Sequence, residues 1–77
     1  MMTITDLDLQ VLFYITKRMT MEEMAEKTGK GVSAVQYRVN HLIKEGCISR
    51  PAERKARSLF ITDQGLAVLE QYGVKLP

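Results

Sequence analysis

Two predicted helices joined by a very short turn constrain the fold of this chain more than any other feature. Thr20 and Glu23 have the spacing of a capping box, so a helix is predicted to begin there and to run over about 21–28. Gly29 suits the left-handed conformation that ends a helix. Apolar residues then recur at helical spacing over about 32–45, which predicts a longer second helix. Because only about four residues connect them, the two helices must fold back against each other.

A further helix is predicted before this pair. Thr5 and Asp8 also have capping-box spacing, and apolar residues follow at helical spacing over about 6–17. The apolar stripe of this helix is expected to consist of Leu7, Val11, Leu12 and Ile15. The first helix would therefore bury this stripe against the helix pair.

A hairpin and a last helix are predicted after the pair. Runs over 47–50 and 57–61 have the residue types of strands, and the polar segment between them forms a longish loop. Thr62 is expected to cap a final helix over about 63–72. The apolar side of that helix is expected to contain Leu66, Leu69 and Tyr72. The order helix, helix, turn, helix, hairpin, helix indicates an α+β fold that is mostly α.

The charge of the chain is concentrated in its middle third. The whole chain has a net charge of only +2, from 11 Lys and Arg against 9 Asp and Glu. Residues 30–57 hold seven of the basic and two of the acidic side chains, whereas residues 1–29 hold three against five and residues 58–77 one against two. A solvated face and a binding surface both explain such a segment, and the predicted architecture favours the binding surface.

Composition excludes several other classes of protein. A chain of 77 residues has room for one core, and its single cysteine, Cys47, excludes a disulfide framework. No apolar run approaches the ~20 residues of a membrane span, and the acidic N-terminus is unlike a signal peptide. With one histidine, His41, no metal site has the required spacing, and no cofactor motif or catalytic pair is evident. We therefore expect a cytoplasmic protein that is not an enzyme.

The helix pair predicts a helix-turn-helix that reads DNA. The second helix of such a unit enters the major groove, where Gln and Asn pair with adenine and the N-terminal amides can bind phosphate. The candidate DNA-binding residues on this helix are Ser33, Ala34, Gln36, Tyr37, Arg38, Asn40, His41 and Lys44.

The hairpin is a candidate wing. Its loop and its flanks carry the long cationic side chains of Arg50, Arg54, Lys55 and Arg57. Cations on a protruding ribbon can reach the narrow minor groove, and each phosphate they neutralise makes binding more sensitive to salt. Double-stranded DNA is therefore the partner that both elements predict.

Three segments resemble MarR-type transcriptional regulators, which are winged helix-turn-helix proteins. Residues 20–25, TMEEMA, look like the LT-x-EELA entry into the helix-turn-helix of that family. Residues 35–48 look like its recognition helix and exit, TVS-x-x-L-x-x-L-x-x-x-GLI. Residues 53–65 are similar to its wing and closing helix, DRRA-x-x-V-x-LT-x-xG. The resemblance covers about residues 7–72.

The resemblance implies a small transcriptional regulator that binds double-stranded DNA sequence-specifically. By analogy with compact regulators of this kind, it also implies an intracellular protein that is prokaryotic or of the mobile-element type. It places Ala34, Gln36 and Tyr37 at positions that face bases or phosphates, and Arg54 at the position of the wing arginine. A homodimer on a two-fold site is the usual arrangement for such a module. The long terminal helices that build the dimer and ligand pocket of MarR-type regulators have no counterpart here, so we expect no small-molecule effector.

On this interpretation residues 1–77 form a single winged-helix DNA-binding domain. The helix-turn-helix lies at about 20–45, the wing at about 47–61 and the closing helix at about 63–72. The alternative is a winged helix that docks on another protein and has no DNA specificity of its own, because a fold does not determine a function. A docking module has no need of basic wing residues together with a polar recognition helix.

Two smaller alternatives stay open. Leu9 and Phe13 lie off the stripe of the first helix, and they fit either an ordinary core or a homodimer seam with Tyr72 and the C-terminal tail. Cys47 is expected to face the core as a small apolar residue, with redox sensing as the alternative.

Overall fold

The computed structural model of the chain describes residues 3–50 and 59–74, and in these residues it contains four helices and a two-stranded antiparallel sheet. The helices are α1 (Asp6–Thr16), α2 (Met21–Thr28), α3 (Val32–Lys44) and α4 (Asp63–Gln71). The strands are β1 (Ile48–Ser49) and β2 (Phe60–Ile61). Ile48 lies opposite Ile61, and Ser49 lies opposite Phe60. The predicted fold class is confirmed: a mostly helical α+β winged helix-turn-helix.

Both predicted capping boxes are present and explain where α1 and α2 begin. The Thr5 hydroxyl accepts a hydrogen bond from the Asp8 amide at 3.1 Å, and the Asp8 carboxylate accepts one from the Thr5 amide at 2.9 Å. Thr20 and Glu23 form the same pair of bonds at 3.1 and 2.9 Å. Gly29 ends α2 with φ of 71°, a conformation that glycine adopts without steric cost.

The hairpin is shorter in the described residues than the prediction. Strands were predicted over 47–50 and 57–61, and the structure pairs only two residues from each. Residues 51–58 lie outside the described residues, and so does the predicted wing loop. Helix α3 ends in a Schellman motif, in which the Cys47 amide donates to the Leu42 carbonyl at 2.9 Å, and this motif leads the chain directly into β1.

The core lies between the helices and against the inner side of the sheet. Residues of α1 contact α3, α4 and β2, while α2 packs mainly on α3. The buried apolar residues are Val11, Leu12, Ile15, Met24, Ala25, Val35, Val39, Leu42, Cys47, Ile48, Leu59, Val68 and Leu69. Three residues of the predicted α1 stripe are buried there, and the fourth, Leu7, is half-buried. Helix α3 adds the buried residues Val35, Val39 and Leu42.

The predicted apolar side of α4 is wrong for two of its three residues. Leu69 is buried, but Leu66 is 37% exposed and Tyr72 is 50% exposed. The helix is rotated so that Gly65, Val68 and Leu69 face inward. The rotation arises because Gly65 packs directly on the backbone at Cys47, a contact that only a residue without a side chain can make.

Candidate nucleic-acid interface

The outer face of α3, the second helix of the helix-turn-helix, is exposed and mainly polar. Val35, Val39 and Leu42 hold the inner face of the helix in the core. Of the predicted DNA-binding residues, the exposed ones are Ser33, Ala34, Tyr37, Asn40 and Lys44, and the half-buried ones are Gln36, Arg38 and His41. Tyr37 is 67% exposed and is the most exposed large hydrophobic side chain of the helix.

The N-terminus of α3 is open toward solvent. Gly31 occupies the N-cap position and provides no side-chain hydrogen bond, and the first turn of the helix contains no acidic residue. The first amides of any helix have no partner within the helix, and they carry the positive end of its dipole. The amides of Val32 and Ser33 are therefore suited to bind an anion, and their contact with a DNA phosphate stays a prediction from the sequence.

Three polar side chains from α3 and the end of β1 form one cluster. The Asn40 Oδ1 atom accepts a hydrogen bond from Gln36 Nε2 at 3.3 Å, one turn earlier on the helix. The same oxygen lies 3.5 Å from Arg50 Nη2, just after β1. The structure thus brings Arg50 to the recognition face, where the sequence alone placed it on the wing. We call Gln36, Asn40 and Arg50 the amide–arginine cluster.

The structure corrects the placement of Arg38. The sequence placed this side chain on the DNA-facing side of α3, but its guanidinium instead binds the carboxylate of Asp8 on α1. Nε lies 2.6 Å from Oδ1 and Nη2 lies 2.7 Å from Oδ2. Asp8 is completely buried and the Arg38 side chain is only 19% exposed. Arg38 therefore joins two helices within the fold.

The pKa values of the pair reflect its geometry. Burial raises the pKa of the Asp8 carboxyl, but hydrogen bonds from Arg38 and Thr5 and the charge of Arg38 together outweigh burial, so the pKa lies below its ordinary value of 3.8. The hydrogen bond to Asp8 raises the pKa of Arg38. Both groups are therefore charged at neutral pH, and the pair is ionic.

Asp8 is the important residue that the sequence interpretation missed, and a signal for it was available. Asp8 precedes Val11, Leu12 and Ile15 at the spacing of the buried stripe, so it lies on the apolar face of α1. Arg38 likewise lies on the apolar face of its helix, because its position falls within the stripe of Val35, Val39 and Leu42 on α3. Two opposite charges on two facing apolar stripes predict an ion pair.

Arg54, Lys55 and Arg57, the remaining predicted wing cations, lie outside the described residues. Their contact with DNA stays a prediction from the sequence. Leu9 and Phe13 are half-buried against the core, and the Phe13 ring contacts the Tyr14 ring edge-on with 5.6 Å between centroids. Tyr72 is exposed, so the three predicted residues of a dimer seam do not share one environment.

Cys47 has the surroundings of an inert core residue. It is completely buried, and burial, together with the negative charges of Glu45 and Asp8, raises the pKa of its thiol. We expect the native thiol to react with a disulfide reagent at least about 100-fold more slowly than in the urea-unfolded chain at pH 8, because a buried thiol reacts only after local opening. The rate of colour release by an aromatic disulfide measures this. Equal rates in both states would contradict the placement of Cys47.

Within residues 3–50 and 59–74, no three His, Cys, Asp or Glu side chains come together as a metal site would require. None of the helices described there has the length and hydrophobicity needed to span a bilayer.

The fold and the exposed face of α3 define a winged-helix module of the kind that binds nucleic acid. The profile of the winged helix-turn-helix DNA-binding family matches residues 4–49, which include α1, the helix-turn-helix and β1. The chain belongs to this winged helix-turn-helix DNA-binding family.

A second comparison finds a partial relative. The cytochrome c-type biogenesis protein CcmE homolog of Arabidopsis thaliana, a mitochondrial protein, is 32% identical over 68 residues. The match covers 88% of this chain and 25% of the relative, so the chain spans about a quarter of that protein's length. No solved structure gives a significant match.

Proposed function

We propose that this chain is a small, MarR-like transcriptional regulator that binds double-stranded DNA sequence-specifically. The observation that carries the proposal is the outer face of α3, on which an exposed tyrosine and the amide–arginine cluster follow an uncapped helix N-terminus. A recognition helix needs this combination, because phosphate contacts fix the register and polar side chains distinguish base edges. Family membership supports DNA as the partner.

The cluster offers more hydrogen-bond donors than acceptors. Asn40 Oδ1 already accepts from Gln36 and lies beside Arg50, so the free groups are chiefly the NH₂ group of Asn40 and the guanidinium of Arg50. Guanine presents two acceptors in the major groove, N7 and O6, whereas adenine presents one acceptor and one donor. We therefore propose that Asn40 and Arg50 face a guanine. Gln36 is the better candidate for a contact with an adenine.

The wing and a second copy of the chain complete the proposed complex. Arg54, Lys55 and Arg57 are proposed to contact the flanking backbone or the minor groove. A homodimer is proposed because one module of this size makes few contacts, whereas two modules on a two-fold site double them.

Selection of bound sites from a random duplex pool tests the proposal. We expect an enriched, two-fold symmetric site, and binding that weakens steeply with salt. An Arg54→Ala/Lys55→Ala variant should lower the slope of log K against log salt by about 2, because each lost phosphate contact removes about 0.9. Lys17→Ala, which removes a surface cation from the last turn region of α1, is the control. Absence of duplex binding at low salt would favour the docking module instead.

The open N-terminus of α3 predicts that one substitution will raise the stability of the fold and lower the affinity for DNA. Gly31→Asp should stabilise the fold by about 0.5 kcal/mol, because aspartate caps a helix better than glycine and suits the dipole. No atom within 4 Å of the added Cβ opposes the change. The same carboxylate would occupy the proposed phosphate site at the N-terminus of α3 and would repel the phosphate. DNA affinity should therefore fall about 10-fold or more. Thermal melting and fluorescence anisotropy with a labelled duplex measure the two effects.

Gly31→Ser is the matched control for this prediction. Serine also caps the helix but carries no charge, so it should stabilise the fold slightly and weaken DNA binding less than aspartate does. If Gly31→Asp bound DNA as tightly as the unchanged chain, no phosphate would contact this helix end.

A further inference from the structure

We propose that the Asp8–Arg38 ion pair positions the DNA-reading face, by setting the orientation of α3 on α1 and by holding the ring of Tyr37. Both residues are positioning residues, and neither is expected to contact DNA itself. The inference rests on the proposed function, because it assigns the pair a role in DNA reading.

The geometry of the pair resists rotation of α3. Two guanidinium nitrogens bind two carboxylate oxygens, at 2.6 and 2.7 Å. A bidentate contact fixes direction as well as distance, because both parallel bonds weaken when either group turns. Asp8 is itself held by both bonds of the capping box with Thr5, so Arg38 is anchored to the first turn of α1.

The capping box alone does not explain why Asp8 is buried. In α2 the equivalent acid, Glu23, completes the same box with Thr20 at the protein surface. A capping box in this fold therefore does not require its acid to be buried. Burying an ion pair brings little or no net stability compared with apolar side chains of the same size. What the pair adds is a defined orientation between α1 and α3.

The ion pair extends to the exposed face through Tyr37. The guanidinium carbon of Arg38 lies 5.6 Å from the centroid of the Tyr37 ring, within the range of a cation–π contact. Asp8 binds the same guanidinium through two hydrogen bonds, so the ring rests against a cation that is itself fixed. Tyr37 is the large hydrophobic side chain most exposed on α3, and a ring held in one position can be aimed at a phosphate or a base.

A double-mutant cycle in DNA binding tests the inference. The variants are Asp8→Asn, Tyr37→Ala and the double variant, and the probe is the duplex selected by the unchanged chain from the random pool. Each variant is measured below its melting temperature, so that only folded protein binds. We expect Asp8→Asn and Tyr37→Ala each to lower affinity about 10-fold, and the double variant to lose clearly less than the product of the two single losses. The shared part of the loss arises because Asp8 acts in part through the ring, and the remaining part reflects the orientation of α3.

Two further variants separate positioning from stability. Val68→Ala removes buried methyl groups from α4, which carries neither member of the ion pair, and it should lower the melting temperature without changing the affinity of the folded protein. Arg38→Lys keeps the charge but loses the planar two-point contact, so it should bind DNA several-fold more weakly even if Asp8→Asn fails to fold.

The possible results are distinct. Folded Asp8→Asn and Arg38→Lys variants that bind like the unchanged chain would overturn the inference and leave the proposed function intact. If the fold loss of DNA affinity in the double variant equalled the product of the two single losses, Asp8 would not act through the Tyr37 ring. If the unchanged chain selected no duplex at all, the proposed function would fail first, and the positioning role would fail with it.

Discussion

Gly65→Ala is expected to destabilise the protein by about 3 kcal/mol, the upper part of the range for overpacked sites. A Cβ atom at this position would overlap the carbonyl oxygen of Cys47 and would lie 2.6 Å from Cγ1 of Ile61. The first of these neighbours is backbone, so no side-chain rotation can relieve the overlap. Either α4 or the base of the hairpin has to move.

Helix propensity alone predicts the opposite result, a gain in stability, for this substitution. In a helix interior alanine is about 1 kcal/mol more favourable than glycine, so an unobstructed Gly65→Ala change would stabilise α4. Ala67, two residues later and exposed, is the matched site. Ala67→Gly should cost about 1 kcal/mol for propensity alone. Urea unfolding measures the free energy of unfolding of both variants. A Gly65→Ala protein as stable as the unchanged chain would show that α4 packs differently.

The same corner of the fold positions the hairpin against α3. The Thr62 hydroxyl donates to the Gly46 carbonyl at 2.6 Å, and the Thr62 amide donates to the Cys47 carbonyl at 3.0 Å. Gln64 Nε2 donates to the Glu45 carbonyl at 3.0 Å. The start of α4 is thus bonded to the end of α3 and the start of β1. A displacement at Gly65 should therefore also weaken DNA binding, because Arg50 follows β1.

The parts of the fold that depend on local chemistry were predictable from the sequence. Thr5 and Thr20 mark the starts of α1 and α2, and Gly29 marks the end of α2, because caps involve residues only three or four positions apart. The predicted bounds of the four helices differ from the observed ones by one residue at most. Amphipathic spacing then identified the inner faces of α1 and α3.

The parts that depend on contacts between distant residues were not predicted. The face that α4 turns inward is set by the close approach of Gly65 to Cys47, and spacing alone favoured Leu66 and Tyr72. Arg38 was placed by composition among the cations that face DNA, although its partner lies 30 residues earlier in the chain. The position of Arg50 beside Asn40 likewise depends on how the chain leaves α3.

Arg38→Met is expected to lower the free energy of unfolding by about 3 kcal/mol at pH 7, the lower end of the range for a broken buried pair. Most of the loss arises from Asp8, which keeps its charge in a completely buried position and has lost its partner. Methionine itself packs well at a site of this kind. For a domain of this size the melting temperature should fall by more than about 10 °C.

A second substitution that removes the unpaired charge of Asp8 tests whether this charge causes the loss of stability. The double variant Asp8→Asn/Arg38→Met replaces the carboxylate by a neutral amide, and we expect it to be more stable than Arg38→Met alone by at least about 1 kcal/mol, because a buried neutral group costs less than a buried ion. A double variant less stable than the single one would show that Asp8 is not left unpaired in Arg38→Met.

The loss of stability in acid should be smaller in Arg38→Met than in the unchanged chain. In the unchanged chain the pKa of Asp8 is below 3.8, so the unfolded chain takes up the proton first and stability falls as the pH drops below about 4. In Arg38→Met the hydrogen bond and the charge of the arginine are lost, while burial still raises the pKa of Asp8 against the hydrogen bonds from Thr5. The pKa of Asp8 should therefore rise, and acid should destabilise this variant less than the unchanged chain. Urea unfolding between pH 3 and 7 compares the two, with Asp8→Asn as the variant that lacks this titration. The difference in stability between Arg38→Met and the unchanged chain should therefore shrink steadily toward low pH, and a constant difference would contradict an ionic Asp8.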